Sequence, residues 1–123
     1  DSRFDFLLED AQGKIFVEVK GVTLEEDGEV RFPDAPTERG VKHLRGLQRA
    51  AAQGHRAAAF FVVQMKGPAR FRPNDAAHPA FGAALREAAG NGVGVYAYDC
   101  LVTPDGLTLD APLPVDLSPW GER

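Results

Sequence analysis

The chain is 123 residues long, with 44% hydrophobic and 26% charged side chains and a net charge of −4. That is the profile of one soluble globular domain large enough for a core without metal or disulfide staples, and its acidic total argues against a uniformly basic nucleic-acid coat. The single cysteine, Cys100, excludes an internal disulfide and a cysteine-based zinc site and suits a reducing cytoplasm, and neither a membrane-length apolar run nor a charged-then-apolar leader is present.

Arg3 to Leu8 is strand-like, and Glu9 to Gly13 reads as a hairpin connection into the apolar run from Lys14 to Lys20. A chain that starts almost directly in a strand reads as a piece of a longer protein. A two-residue loop at Ala11-Gln12 and a four-residue loop from Asp10 to Gly13, with Gly13 in a left-handed conformation, give the same register. Phe4 then falls opposite Val19, Phe6 opposite Val17 and Leu8 opposite Ile15 on one wholly apolar face. The other face pairs Leu7 with Phe16, Asp5 with Glu18 and Arg3 with Lys20. Directly opposed Cβ atoms lie roughly 4.5 to 5.5 Å apart, so the two carboxylates repel unless a cation or a shared proton intervenes. A three-residue loop would shift this register by one step and separate the pair.

Val22 to Leu24 extends the strand, Glu25 to Gly28 turns it, and Glu29 to Phe32 is a short return strand. Pro33 to Thr37 is a loop whose capping side chains open a helix over Thr37 to Ala52, buried through Val41, Leu44, Leu47 and Ala51. Arg56 to Met65 is apolar on both faces, which predicts a central strand covered on both sides. Lys66 to Asp75 reads as a long basic loop, and Pro79 to Ala89 as a second helix buried through Phe81, Ala84, Leu85 and Ala88. Val93 to Val102 and Leu107 to Leu109 are strands, and Asp110 onward is expected to drape over the domain edge. The pattern predicts an α/β domain over residues 1–117, a mixed central β-sheet flanked by helices on its faces, with 118–123 a tail.

Asp5, Glu18 and Lys20 are the candidate catalytic residues. Two carboxylates from neighbouring strands suit a hard divalent cation, and a co-facial lysine suits the negative charge that develops on a phosphodiester under attack. The same spacing is also compatible with an inert ion-pair cluster on a half-exposed strand.

The sequence resembles the C-terminal domain of the sugar fermentation stimulation protein A family. The resemblance runs through Ser2-Arg3-Phe4-Asp5-Phe6-Leu7-Leu8, Val17-Glu18-Val19-Lys20 with Val22-Thr23-Leu24, Phe32-Pro33-Asp34-Ala35, and Thr37-Glu38-Arg39-Gly40 with Lys42-His43-Leu44. It continues through Phe60-Phe61-Val62-Val63-Gln64 and Val95-Tyr96-Ala97-Tyr98. That family is similar in its C-terminal half to the PD-(D/E)XK, or restriction endonuclease-like, nucleases. The resemblance implies Mg²⁺ or Mn²⁺ held by Asp5 and Glu18, with Lys20 as the catalytic amine. It also implies an N-terminal OB-like domain and a leading helix that this chain does not contain; because the superfamily often takes another carboxylate from that helix, the metal site is expected to be incomplete here.

Glu38 is a candidate third carboxylate or a helix-start residue paired with Lys42. Lys42 and His43 are candidate phosphate contacts or a solvated helix face. Arg39, Arg45, Arg49, Arg70 and Arg72 are candidate nucleic-acid contacts, DNA in preference to RNA, within a basic middle of the chain. Asp34, Tyr96, Tyr98 and Cys100 read as structural. The expected activity is metal-dependent phosphodiester hydrolysis, with a non-enzymatic DNA-binding regulator of sugar metabolism as the alternative.

Overall fold

A computed structural model describes residues 5–120. Strands β1 (Phe6–Asp10) and β2 (Gly13–Val22) are joined by the two residues Ala11-Gln12, with Gly13 at φ +113°, where a side chain would be strained. They pair antiparallel with Phe6 opposite Val17, Leu7 opposite Phe16 and Leu8 opposite Ile15, the register expected from the sequence. The expected Phe4–Val19 and Arg3–Lys20 pairs lie outside the described residues.

Beyond β2, the strands β3 (Leu24–Glu26), β4 (Glu29–Phe32) and β6 (Arg70–Pro73) form a small three-stranded sheet. The larger sheet adds β5 (Arg56–Val63), β7 (Gly94–Thr103) and β8 (Gly106–Leu113) in the order β1-β2-β5-β7-β8. Within it β2, β5 and β7 are mutually parallel, and both outer strands are antiparallel to their neighbours. Helices α1 (Glu38–Ala52) and α2 (Pro79–Gly90) carry the crossovers from β2 to β5 and from β5 to β7. The start of α1 is fixed by Thr37, whose hydroxyl accepts from the Gly40 N–H at 2.9 Å. No helix among the described residues is long and apolar enough to cross a membrane.

Successive crossovers that advance in one direction with the same hand deliver their helices to the same side of a sheet. Accordingly Val41, Leu44 and Leu47 of α1 and Phe81, Leu85 and Ala88 of α2 share one core with Val22, Ala57, Ala59, Phe61, Val63 and Ala97. The small residues Ala57 and Ala59 leave room for helix side chains over the centre of the sheet. Phe61 stacks on Phe71 at a centroid separation of 4.3 Å, and Phe32 meets Phe81 edge-on at 5.2 Å, which fastens the small sheet to the same side.

Several expectations are corrected. The helices do not flank the sheet: both lie on the face that carries Phe16, Glu18, Lys20 and Val22. Among the described residues strand β5 is therefore covered on one side only. Ala57, Ala59, Phe61 and Val63 are buried, and the alternate residues are partly exposed. The stretch from Lys66 to Asp75 is not all loop, because Arg70 to Pro73 pairs parallel with β4. Asp110 does not begin a drape; β8 continues through Leu113, with Pro112 tolerated on an edge strand. Nor is 118–120 a free tail, since Trp120 donates from Nε1 to the Pro73 carbonyl at 3.0 Å and its ring lies over both Arg31 and Arg72.

Candidate functional site

Glu18 sits mid-way along β2, between β1 and β5, and is 2% exposed. Among the described residues neither of its carboxylate oxygens has a hydrogen-bond partner. Asp5 lies just ahead of β1, in line with the register that sets it across from Glu18, and its Oδ2 accepts from the Val19 N–H at 2.8 Å. Lys20, two residues beyond Glu18 on the same face, places Nζ 3.9 Å from Glu18 Oε2. From above, α1 contributes His43, whose Nδ1 is 2.8 Å from Lys20 Nζ and 3.4 Å from Glu18 Oε2. The alternation of a strand and the reach of one helix thus bring four titratable groups into one cluster.

Burial pushes the Glu18 carboxyl up to about 7, and the negative charge of Asp5 pushes in the same direction. The cations Lys20 and Arg39 oppose both. Lys20 is lowered first by burial, against the attraction of Glu18 and Asp5. His43 is lowered by burial and then by the nearby charges of Lys20 and Arg39. A neutral imidazole beside an ammonium accepts at Nδ1, so the Lys20–His43 contact assigns the ring proton to Nε2. His43 therefore orients the lysine without adding charge to the pocket.

A buried carboxylate with two unused acceptor oxygens and a second carboxylate beside it is a site short of positive charge. Lys20 stands too far away to satisfy it by a hydrogen bond. Among the described residues no three His, Cys, Asp or Glu side chains are grouped to hold a metal ion. The donor set is two oxygens-only side chains, which fits a hard cation of the magnesium class that completes its shell with water and substrate phosphate. It does not fit a thiolate- or imidazole-rich structural site.

Of the accessory residues expected from the sequence, His43 joins the trio directly and Arg39 acts on Glu18, Lys20 and His43 through its charge. Arg39 and His43 are four residues apart on α1 and so share a helix face; that spacing was the signal by which the sequence could have joined them. Glu38 is exposed in the first turn of α1, and the groups acting on Glu18 do not include it. Lys42, Arg45 and Arg49 are exposed along α1. Arg70 is partly exposed and tied to Glu29, 3.0 Å from its Nε.

Arg72 is a correction. It is completely buried, with Trp120 over its guanidinium and Nη2 donating to the Ser118 carbonyl, and so is withdrawn from any surface contact. Paired with the buried Glu29 at 3.9 Å, it joins the small sheet to the C-terminal segment instead. A second cluster not foreseen from sequence links Lys66 to Asp99 at 2.9 Å and to Asp110, holding the β7–β8 ribbon against the end of β5.

The family model described as the sugar fermentation stimulation protein RE domain matches residues 1–106. A sugar fermentation stimulation protein homolog from Desulfitobacterium hafniense strain Y51 is 59% identical over 107 residues, covering 87% of this chain and 47% of that protein. A homolog from Clostridium beijerinckii is 53% identical over 109 residues, 89% of this chain and 48% of that one. A solved structure described as Pyrococcus furiosus SfsA in complex with Ca²⁺ superposes with a TM-score of 0.88 at 32% identity, covering 94% of this chain and 51% of that chain. The chain spans about half the length of the curated relatives it matches.

Proposed function

The chain belongs to the sugar fermentation stimulation protein family, and from that premise we propose that it is the PD-(D/E)XK-type catalytic half of a metal-dependent phosphodiesterase acting on DNA. The single observation that carries this reading is the buried Glu18 carboxylate, with both oxygens unpartnered among the described residues, set between Asp5 and Lys20. Asp5 and Glu18 would hold Mg²⁺ or Mn²⁺; a divalent ion in such a place supplies charge neutralisation for a phosphoryl oxygen and acidifies water. The relative solved with Ca²⁺, a hard cation with a preference for oxygen ligands, is in keeping with an oxygen donor set.

The chain's own groups do the rest. Lys20, oriented by His43, presents an ammonium to the negative charge that accumulates on the phosphoryl group or on the attacking oxygen. The exposed Arg39 adds a second positive charge that acts on the cluster, and Lys42, Arg45 and Arg49 continue a basic track along α1 by which a phosphate backbone can be held. Expressed as the full-length polypeptide, the protein is expected to cleave at least one of linear, nicked or single-stranded DNA in Mg²⁺ or Mn²⁺, to stop in EDTA, and to lose cleavage in Asp5→Ala. Equal rates for the wild type and Asp5→Ala would sink the proposal.

A second reading keeps the fold as a non-enzymatic DNA-binding regulator, and the exposed basic track on α1 favours it. It expects salt-sensitive DNA binding without turnover and indifference to Asp5→Ala.

A further inference from the structure

Next to Asp5 and Glu18, on the same face of the sheet, the hairpin sets Leu7 opposite Phe16. β1 is the edge of the large sheet and α1 rises over β2 beside it, so Leu7 has no layer above it among the described residues and is 56% exposed. Phe16 is half-buried, packs against the core and meets the His55 ring edge-on at 5.3 Å. One pair further along the hairpin Glu9 stands opposite Lys14, both exposed. An exposed leucine is ordinary by itself. This one belongs to a short apolar step, one residue pair long, bounded at one end by the carboxylates of the candidate cation site and at the other by a Glu–Lys pair.

The step has the length and the chemistry of one nucleoside. A phosphate held through a cation at Asp5 and Glu18 leaves its attached sugar and base to extend to one side, and two residues of strand carry the floor ~6.6 Å in that direction. Stacked duplex DNA advances only ~3.4 Å per nucleotide along each strand, and its bases turn inward to their partners. A base that reaches Leu7 is therefore unstacked and unpaired, with one face free to lie on an aliphatic side chain. Leucine is among the side chains that wedge between base steps in this way. The cations stand elsewhere: Arg39, Lys42, Arg45 and Arg49 are on α1, and β1 has none. Attraction for the backbone and contact with a base are thus divided between two elements.

We infer that the Leu7–Phe16 step receives the nucleobase next to the phosphate at Asp5 and Glu18, and that Leu7 thereby makes single-stranded or frayed DNA the substrate of this site. The inference deepens the proposed function and rests on it for where the phosphate sits. Affinities for a fluorescein-labelled oligonucleotide, single-stranded and as a blunt duplex, test it in the full-length polypeptide in Mn²⁺, with Lys20→Ala as the common background so that the strands stay intact. Leu7→Ala should weaken single-strand binding about tenfold and duplex binding less than about twofold, and Leu7→Met should restore most of the loss. An abasic site at one position of the single strand should cost the same factor when Leu7 is present and nothing further in Leu7→Ala, the non-additivity of two groups in contact. Equal losses on single strand and duplex, or losses that multiply, would overturn the inference. So would a Leu7→Cys thiol that maleimide reaches about a hundredfold more slowly than one at the exposed Gln53→Cys, because the step would then be covered in the whole protein. Single-strand binding that follows Leu7, in a protein that with Lys20 intact shows no Mn²⁺-dependent cleavage, would sink the phosphodiesterase reading and leave this inference standing. Cleavage indifferent to Leu7→Ala on every substrate would do the opposite.

Discussion

On the proposed reading, alanine in place of Lys20 is expected to lower the rate of divalent-dependent DNA cleavage by about 100- to 1,000-fold, the cost typical of removing one well-placed donor to developing negative charge. It leaves divalent-ion affinity within a few-fold of wild type. The separation follows from the geometry: the ammonium is aimed by His43 at 2.8 Å and stands 3.9 Å from Glu18, close enough to act on the same bound phosphate and too far to serve as the carboxylate's partner. Lys20→Arg does not restore the rate, because a planar guanidinium cannot occupy the place of a compact ammonium beside the imidazole. Single-turnover cleavage and calorimetric Mn²⁺ titration of both variants check the two halves of this result. A Lys20→Ala protein that cleaves at the wild-type rate would remove the lysine from the mechanism.

Glu18→Gln makes the metal-free protein more stable at pH 8, by about 3 kcal/mol. The Glu18 carboxyl has an ordinary value of 4.5 and is held at about 7 in the folded chain, chiefly by burial and then by Asp5. Between those values the folded state keeps a proton that the unfolded state has released, so the contribution of Glu18 to stability falls as pH rises from about 4.5 to about 7 and is flat above. At ~1.4 kcal/mol per pH unit that window accounts for the figure. The glutamine variant lacks this slope, and denaturant midpoints in EDTA across pH 4 to 8 measure it. Divalent ions reverse the order, stabilising the wild type most above pH 7, where no proton has to leave Glu18 first, and leaving Glu18→Gln largely unmoved.

The placement of Asp5, Glu18 and Lys20 together was legible in the sequence because it rests on two short-range rules. A two-residue turn before Gly13 sets the register that faces Asp5 toward Glu18, and strand alternation sets Lys20 beside them. The stripe Val41, Leu44 and Leu47 likewise identified the buried face of α1. What failed was long-range. The run Ala57 to Val63 has the composition of a strand buried on both sides, yet which side the helices cover is decided by crossover handedness and strand order. Arg72 looked like one more surface cation because its partners, Glu29 and the Trp120 ring, are distant in sequence. Arg70 and Arg72, two apart on β6, share a strand face and both reach Glu29, and what their spacing hid is that Trp120 closes over Arg72 while Arg70 stays partly exposed.

The most direct test of the account is anomalous scattering from Mn²⁺ in crystals of the full-length protein at pH 8, collected for the wild type and for Asp5→Asn. The account predicts an ion against the carboxylates of Asp5 and Glu18 in the wild type and its loss in the variant. Mn²⁺ bound only elsewhere, or a site indifferent to Asp5→Asn, would contradict it.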